Sequence, residues 1–177
     1  MVHGMTNAVW LTLGLVMFST DGYTCSVARI LSNVEMVAAA EAIVRATAVE
    51  YAQAPSDSKR WTTGVPDSTV RFKVLEVVQG DSGAEVILPG YLGSADDFND
   101  QQPPYTFVRP GGRHGSCFAN SYRRGAQYLL FLKKAKGGEV TVNWAALAPV
   151  NEQLRSTEDS WLAWVRQQAN KAKATLK

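Results

Sequence analysis

Residues 68–80, STVRFKVLEVVQG, alternate: Val70, Phe72 and Val74 fall on one side, Arg71 and Lys73 on the other. Successive side chains of a strand point to opposite faces, so this pattern predicts a half-buried β-strand with its apolar side against a core. Upstream, residues 42–51, AIVRATAVEY, are rich in β-branched and small residues and predict a second strand. Downstream, Gly80-Asp81-Ser82-Gly83 supplies turn residues, and residues 84–90, AEVILPG, predict a short strand ended by Pro89-Gly90. Residues 127–132, QYLLFL, predict a more fully buried strand. Lys136-Gly137-Gly138 then turns the chain into residues 139–144, EVTVNW, with Val140 and Val142 on one face and Thr141 on the other.

Residues 91–116 are polar and rich in Pro and Gly, and they form a longer connection than most inside a compact domain; such segments are functional or mobile. At the end of the chain Ser156-Thr157-Glu158-Asp159 reads as a helix start, and Trp161, Leu162, Trp164 and Val165 make an apolar stripe at helical spacing. A C-terminal helix is therefore expected over about residues 157–172, its tryptophans packed on the sheet because large aromatics dominate core energetics. Strands joined by turns, one terminal helix and no β-α-β rhythm predict a mainly β fold. The expected form is a five-stranded antiparallel barrel, closed or nearly closed, of the oligonucleotide/oligosaccharide-binding (OB) type.

The chain has 177 residues, 46% hydrophobic and 19% charged, which fits one globular domain and gives no sign of disorder or repeats. Residues 8–18, AVWLTLGLVMF, carry no charge, and at ~1.5 Å rise per residue this run cannot cross a hydrocarbon core ~30 Å thick. Its length does fit the apolar core of a secretory signal peptide, followed by a polar cleavage region. We therefore expect residues 1–24 to be a signal and residues 25–177 a single secreted domain, periplasmic or at the cell surface in a bacterium. The leader MVHGMTN has no Lys or Arg and no A-x-A triplet precedes Cys25, so a buried N-terminal segment of a cytosolic domain is the competing reading. Lipid attachment at Cys25 is a third, but Gly22-Tyr23-Thr24 does not resemble the Leu-led box of small residues that marks it.

Two cysteines, Cys25 and Cys117, are present. In an oxidising compartment they pair, closing a loop of about 90 residues; in a reducing one they are two buried thiols. His114 and Cys117 lie three apart in a Gly-rich stretch and could form a thiolate-imidazole enzyme site, a weaker reading because the cysteine is better explained by a disulfide. Asp96, Asp97 and Asp100 cluster in the same segment without calcium-loop spacing, so no intrinsic metal and no cofactor are expected. The formal net charge of +2 is too small to argue for nucleic acid, although Arg71, Lys73, Arg123 and Arg124 could form a basic strip for single strands.

The run Cys117-Phe118-Ala119-Asn120-Ser121-Tyr122-Arg123-Arg124-Gly125-Ala126-Gln127-Tyr128-Leu129-Leu130-Phe131-Leu132, a glycine turn, a strand, and then Leu147-Ala148-Pro149-Val150-Asn151 resemble the core of tissue inhibitors of metalloproteinases and related netrin-like domains. AEAIVRATAV and STVRFKVLEVVQG are similar to that family's first two strands. The resemblance spans about Cys25 to Asn151 in order and spacing, through short, mostly hydrophobic motifs. It implies an OB-type barrel, a Cys25–Cys117 bridge, and a mature chain beginning at Cys25 whose α-amine and carbonyl chelate the zinc of a metalloprotease. Ser26 would enter the protease specificity pocket, and Val27, Pro149 and Val150 would complete the contact edge. The implied role is a non-catalytic inhibitor. The alternative is a netrin-like extracellular domain that binds another protein without inhibiting a protease. The sequence departs from the inhibitors in having Val27 where they carry a second cysteine, and in lacking any further cysteine.

Overall fold

The computed structural model describes residues 29, 31–56, 66–113, 117–135 and 140–175. The expected signal, and with it Cys25, Ser26, Val27 and His114, lies outside the described residues.

A short helix, α1 (Asn33–Ala39), comes first. It is nucleated by a capping box: Ser32 Oγ accepts from the Glu35 N–H at 3.3 Å, and Glu35 Oε2 accepts from the Ser32 N–H at 2.8 Å. The strands follow as β1 (Ala42–Gln53), β2 (Thr69–Gln79), β3 (Glu85–Pro89), β4 (Tyr91–Gly93), β5 (Ser121–Arg123), β6 (Gln127–Lys134), β7 (Val140–Val142) and β8 (Asn151–Gln153), and helix α2 (Ser160–Thr175) closes the order. Each segment expected to be a strand is one: they are β1, β2, β3, β6 and β7. The main sheet runs β3-β2-β1-β6-β7 with antiparallel neighbours, and β8 pairs with the first half of β6 while β7 pairs with the second.

The fold is thus mainly β, an antiparallel sheet with a C-terminal helix. The closed barrel is not found. Among the described residues no ladder joins β3 to β7, although these two edges come within contact distance. The edges themselves give the reason: β7 is three residues long, and β3 ends on Pro89, which has no N–H to donate. Curvature enters through β1, whose register against β2 shifts at four places; each irregularity bends the strand and increases its twist.

Alternation places the core as the sequence predicts. Val70, Phe72 and Val142 are fully buried, Val74 and Val140 pack against the same cluster, and Leu129 to Leu132 form an unbroken buried run. Trp161, Leu162, Val165 and Ala169 of α2 complete that cluster. The cap of α2 is Asp159: its Oδ1 accepts from the Trp161 N–H at 2.8 Å and its Oδ2 from the Arg155 N–H at 2.9 Å, so the helix starts three residues later than expected. Arg166 fastens α2 to the sheet through a two-pronged contact with Glu76, at 2.8 and 2.7 Å, and Arg45 reaches the same carboxylate at 2.9 Å. These arginines, Arg166 foremost, hold the Glu76 carboxyl below its ordinary range. After β2 the chain turns at Gly80 with φ 68°, and a Cβ there would lie 1.9 Å from the Glu41 carbonyl oxygen, so only glycine fits. No helix among the described residues is long and apolar enough to cross a membrane.

Candidate partner-binding edge

Cys117 and Leu147 both adopt φ 62°, a left-handed conformation that costs a side-chain-bearing residue energy unless its surroundings impose it. Their surroundings do so through backbone bonds. The Leu147 N–H donates to the Cys117 carbonyl at 2.9 Å, and the Leu147 carbonyl accepts from the Val108 N–H at 2.7 Å. Next to them Phe118 meets Trp144 edge to face, with ring centroids 5.2 Å apart. The cysteine ahead of β6 is therefore joined to the turn between β7 and β8.

Cys117 is disulfide-bonded and carries no free thiol. Cys25, the only other cysteine of the chain, lies outside the described residues together with Ser26 and Val27. A bridged sulfur carries no thiolate. Pro149 and Val150 are buried, and the Val150 carbonyl accepts from the Phe131 N–H at 2.8 Å. Their part is to anchor the turn, which leaves the half-buried Phe118, Trp144 and Leu147 as the accessible side chains of the edge. Replacing Cys117 by serine should lower stability by ~2–5 kcal/mol, measured by urea denaturation of the oxidised protein; a loss below ~1 kcal/mol would mean that the bridge constrains little.

Of residues 91–116, expected to be a loop, residues 91–113 are described, and they are ordered by strand pairing. β4 pairs in parallel with β5, Phe98 bridges to Gln153, and a single 3-10 turn covers Pro110–Gly112. The segment is held by a polar network that alternation could not reveal. Arg109 is wholly buried, its guanidinium donating to Asp97 Oδ2 at 2.6 Å and to the carbonyls of Ser121, Ala119 and Asn151 at 2.9, 2.8 and 3.1 Å. It also lies over the rings of Tyr122 and Tyr128, at 5.5 and 5.3 Å. The opposite wall is β8, whose three residues Asn151, Glu152 and Gln153 are all polar and all buried. Asn151 Nδ2 donates to the Ala119 carbonyl and to the Tyr122 hydroxyl, Glu152 accepts from the Arg109 N–H and from Asn99 Nδ2, and Gln153 Oε1 accepts from the Asp97 N–H.

The three aspartates are not gathered round a common point but are drawn to separate arginines: Asp96 to Arg123 at 3.0 Å, Asp97 to Arg109, and Asp100 to Arg113 at 2.7 Å. Among the described residues no group of three His, Cys, Asp or Glu side chains is placed to hold a metal. Of the basic strip, Arg71 is paired with Glu50 and Glu85, and Arg123 with Asp96, which removes much of its free positive charge. Against protein-family models and against curated protein sequences, the chain finds no match.

Proposed function

We propose that this chain is a secreted, non-catalytic binding module on a scaffold like that of tissue inhibitors of metalloproteinases and netrin-like domains, and that its target is a zinc metalloprotease. The observation that carries this reading is the bonded contact of Cys117 with Leu147, which sets the cysteine ahead of β6 beside the segment that leads to Asn151. Support for an OB-type barrel comes from the strand order, with β1 paired on both sides and β3 and β7 approaching each other, because barrels of this type are partly open.

In this reading cleavage after Thr24 leaves Cys25 as the first residue, and the bridge from Cys25 to Cys117 holds its α-amine at the edge. A catalytic zinc keeps a coordination position open for water, and a neutral amine with its adjacent carbonyl can fill it. An α-amine titrates near ~8 and yields its proton to a metal at small cost. The bridge fixes that amine beforehand and reduces the ordering cost of binding.

Intact mass and N-terminal sequencing of the secreted product should give a chain starting at Cys25, short of two hydrogens and free of lipid. That protein should inhibit at least one zinc metalloprotease, and acetylating its α-amine should abolish the inhibition, because chelation needs the nitrogen lone pair. Inhibition that survives acetylation, or none across a panel of such proteases, would overturn the chelation mechanism. Val27 and the lack of further bridges favour one second reading, a netrin-like domain that binds an extracellular protein without touching zinc. Partner binding in that case is indifferent to acetylation.

A further inference from the structure

Glu152 is fully buried, and among the described residues it forms no ion pair. Its carboxylate accepts from the Arg109 backbone N–H at 3.0 Å and from Asn99 Nδ2 at 2.9 Å, while the Arg109 guanidinium is directed to Asp97 and to three carbonyls. Arg109 and Asp97 balance each other, so an ionised Glu152 leaves one negative charge without an ion-pair partner in a buried site. Both of its hydrogen-bond donors belong to residues 96–113. We propose that Glu152 is a proton-operated latch, which holds residues 96–113 closed over β8 when protonated and loosens them when ionised.

The charged and titratable groups around it pull in both directions, and burial decides between them. From residues 96–113 come Asp97, Tyr105 and Arg109, and beyond β8 come Asp159 and Arg155. β6 opposes Glu152 with the apolar Leu129, and Tyr128 and Tyr122 lie behind Arg109. Tyr105 and Tyr122 are each pushed up to about 12, chiefly by burial, and stay neutral. Burial is also the largest influence on Glu152. It outweighs the attraction of Arg109 and the bonds from Asn99 and the Arg109 N–H, and pushes the carboxyl from 4.5 up to about 7. A group raised in the closed form stabilises that form below its solvated value, and this stabilisation is lost as pH climbs to the raised one. The window is therefore pH 4.5 to 7, with the closed form favoured at the acid end. Val108 lies inside the latched segment and donates to Leu147, so the latch reaches the Cys117 edge whether or not that edge meets a protease.

The test is carbon-detected NMR titration of the Glu152 carboxyl in the full chain, together with hydrogen exchange at the Arg109 amide. The carboxyl should titrate near neutrality. The Arg109 protection factor, corrected for intrinsic exchange, should fall roughly tenfold per pH unit between about pH 5 and 7. In Glu152→Gln the protection should be flat over that window, and in the exposed control Glu158→Gln it should follow the unmodified chain. A Glu152 carboxyl that titrates near the ordinary value of about 4.3, or protection in the unmodified chain that does not change with pH, overturns the latch. Should the glutamine variant not fold, the titration of the unmodified chain decides by itself.

Discussion

Arg109→Met should cost ~3–5 kcal/mol of stability, the loss common when one partner of a buried ion pair is removed. The side chain is fully buried, and its guanidinium serves four acceptors between 2.6 and 3.1 Å. A thioether of similar length fills the space but donates nothing. Ala119 keeps its bond from Asn151 and Asp97 keeps its bond from the Gly111 N–H, while the Ser121 and Asn151 carbonyls lose the bonds they had from Arg109. Asp97 is left as a partly buried carboxylate without its cation. Arg109→Lys should also destabilise, since an ammonium cannot reach acceptors on both sides of a planar fork or lie flat over Tyr122 and Tyr128. Urea denaturation of the three proteins measures this. A methionine variant within ~1 kcal/mol of the parent would mean that residues 96–113 are held by something other than the arginine.

That network marks where the sequence stops being informative. Alternation at Val70, Phe72 and Val74 identifies a strand and its inner face because burial selects apolar side chains at every second position, and Val140, Thr141 and Val142 mark β7 in the same way, whereas β1, β3 and β6 are legible from their β-branched and apolar content and the turn residues around them. β4, β5 and β8 are three residues each, too short to establish a period, and Asn151-Glu152-Gln153 contains no apolar residue. Its burial is settled by partners far along the chain, Asn99, Arg109 and Ala119, which no local pattern can announce. One signal was legible: residues 91–116 hold Tyr105, Phe107 and Val108, and Tyr105 and Val108 are buried, an apolar content at odds with a solvated loop. The capping box of α1 was also written out as Ser32-Asn33-Val34-Glu35, in a helix too short for periodicity to support it. Barrel closure is a third kind of question. Patterning gives faces and order, whereas a ladder between the last two edges depends on strand length and free N–H groups, and Val140–Val142 offers few. For the proposed edge, the sequence placed Cys117 and the 147–151 segment in order. It could not tell that Pro149 and Val150 face inward.

Trp161→Ala should be as costly, ~3–5 kcal/mol, whereas Trp161→Phe should stay within about 1.5 kcal/mol of the parent. Trp161 is fully buried at the start of α2. It stacks on Trp164 with centroids 5.3 Å apart, packs on Tyr105 at 5.2 Å and faces Phe131 at 6.2 Å, so it ties the helix at once to residues 96–113 and to β6. Alanine would leave a cavity where those surfaces meet, and the capped first turn of α2 cannot collapse into it while Asp159 holds the Trp161 N–H. The indole carries one feature in the other direction: its Nε1 is buried and has no hydrogen-bond partner among the described residues, a desolvated donor that costs ~1–3 kcal/mol. Phenylalanine keeps a ring against Tyr105 and Trp164 and removes that donor, so part of the lost contact area is offset. Chemical denaturation of both variants separates the two contributions. If phenylalanine destabilises as much as alanine, the indole nitrogen is bonded after all and the packing account of this residue is wrong.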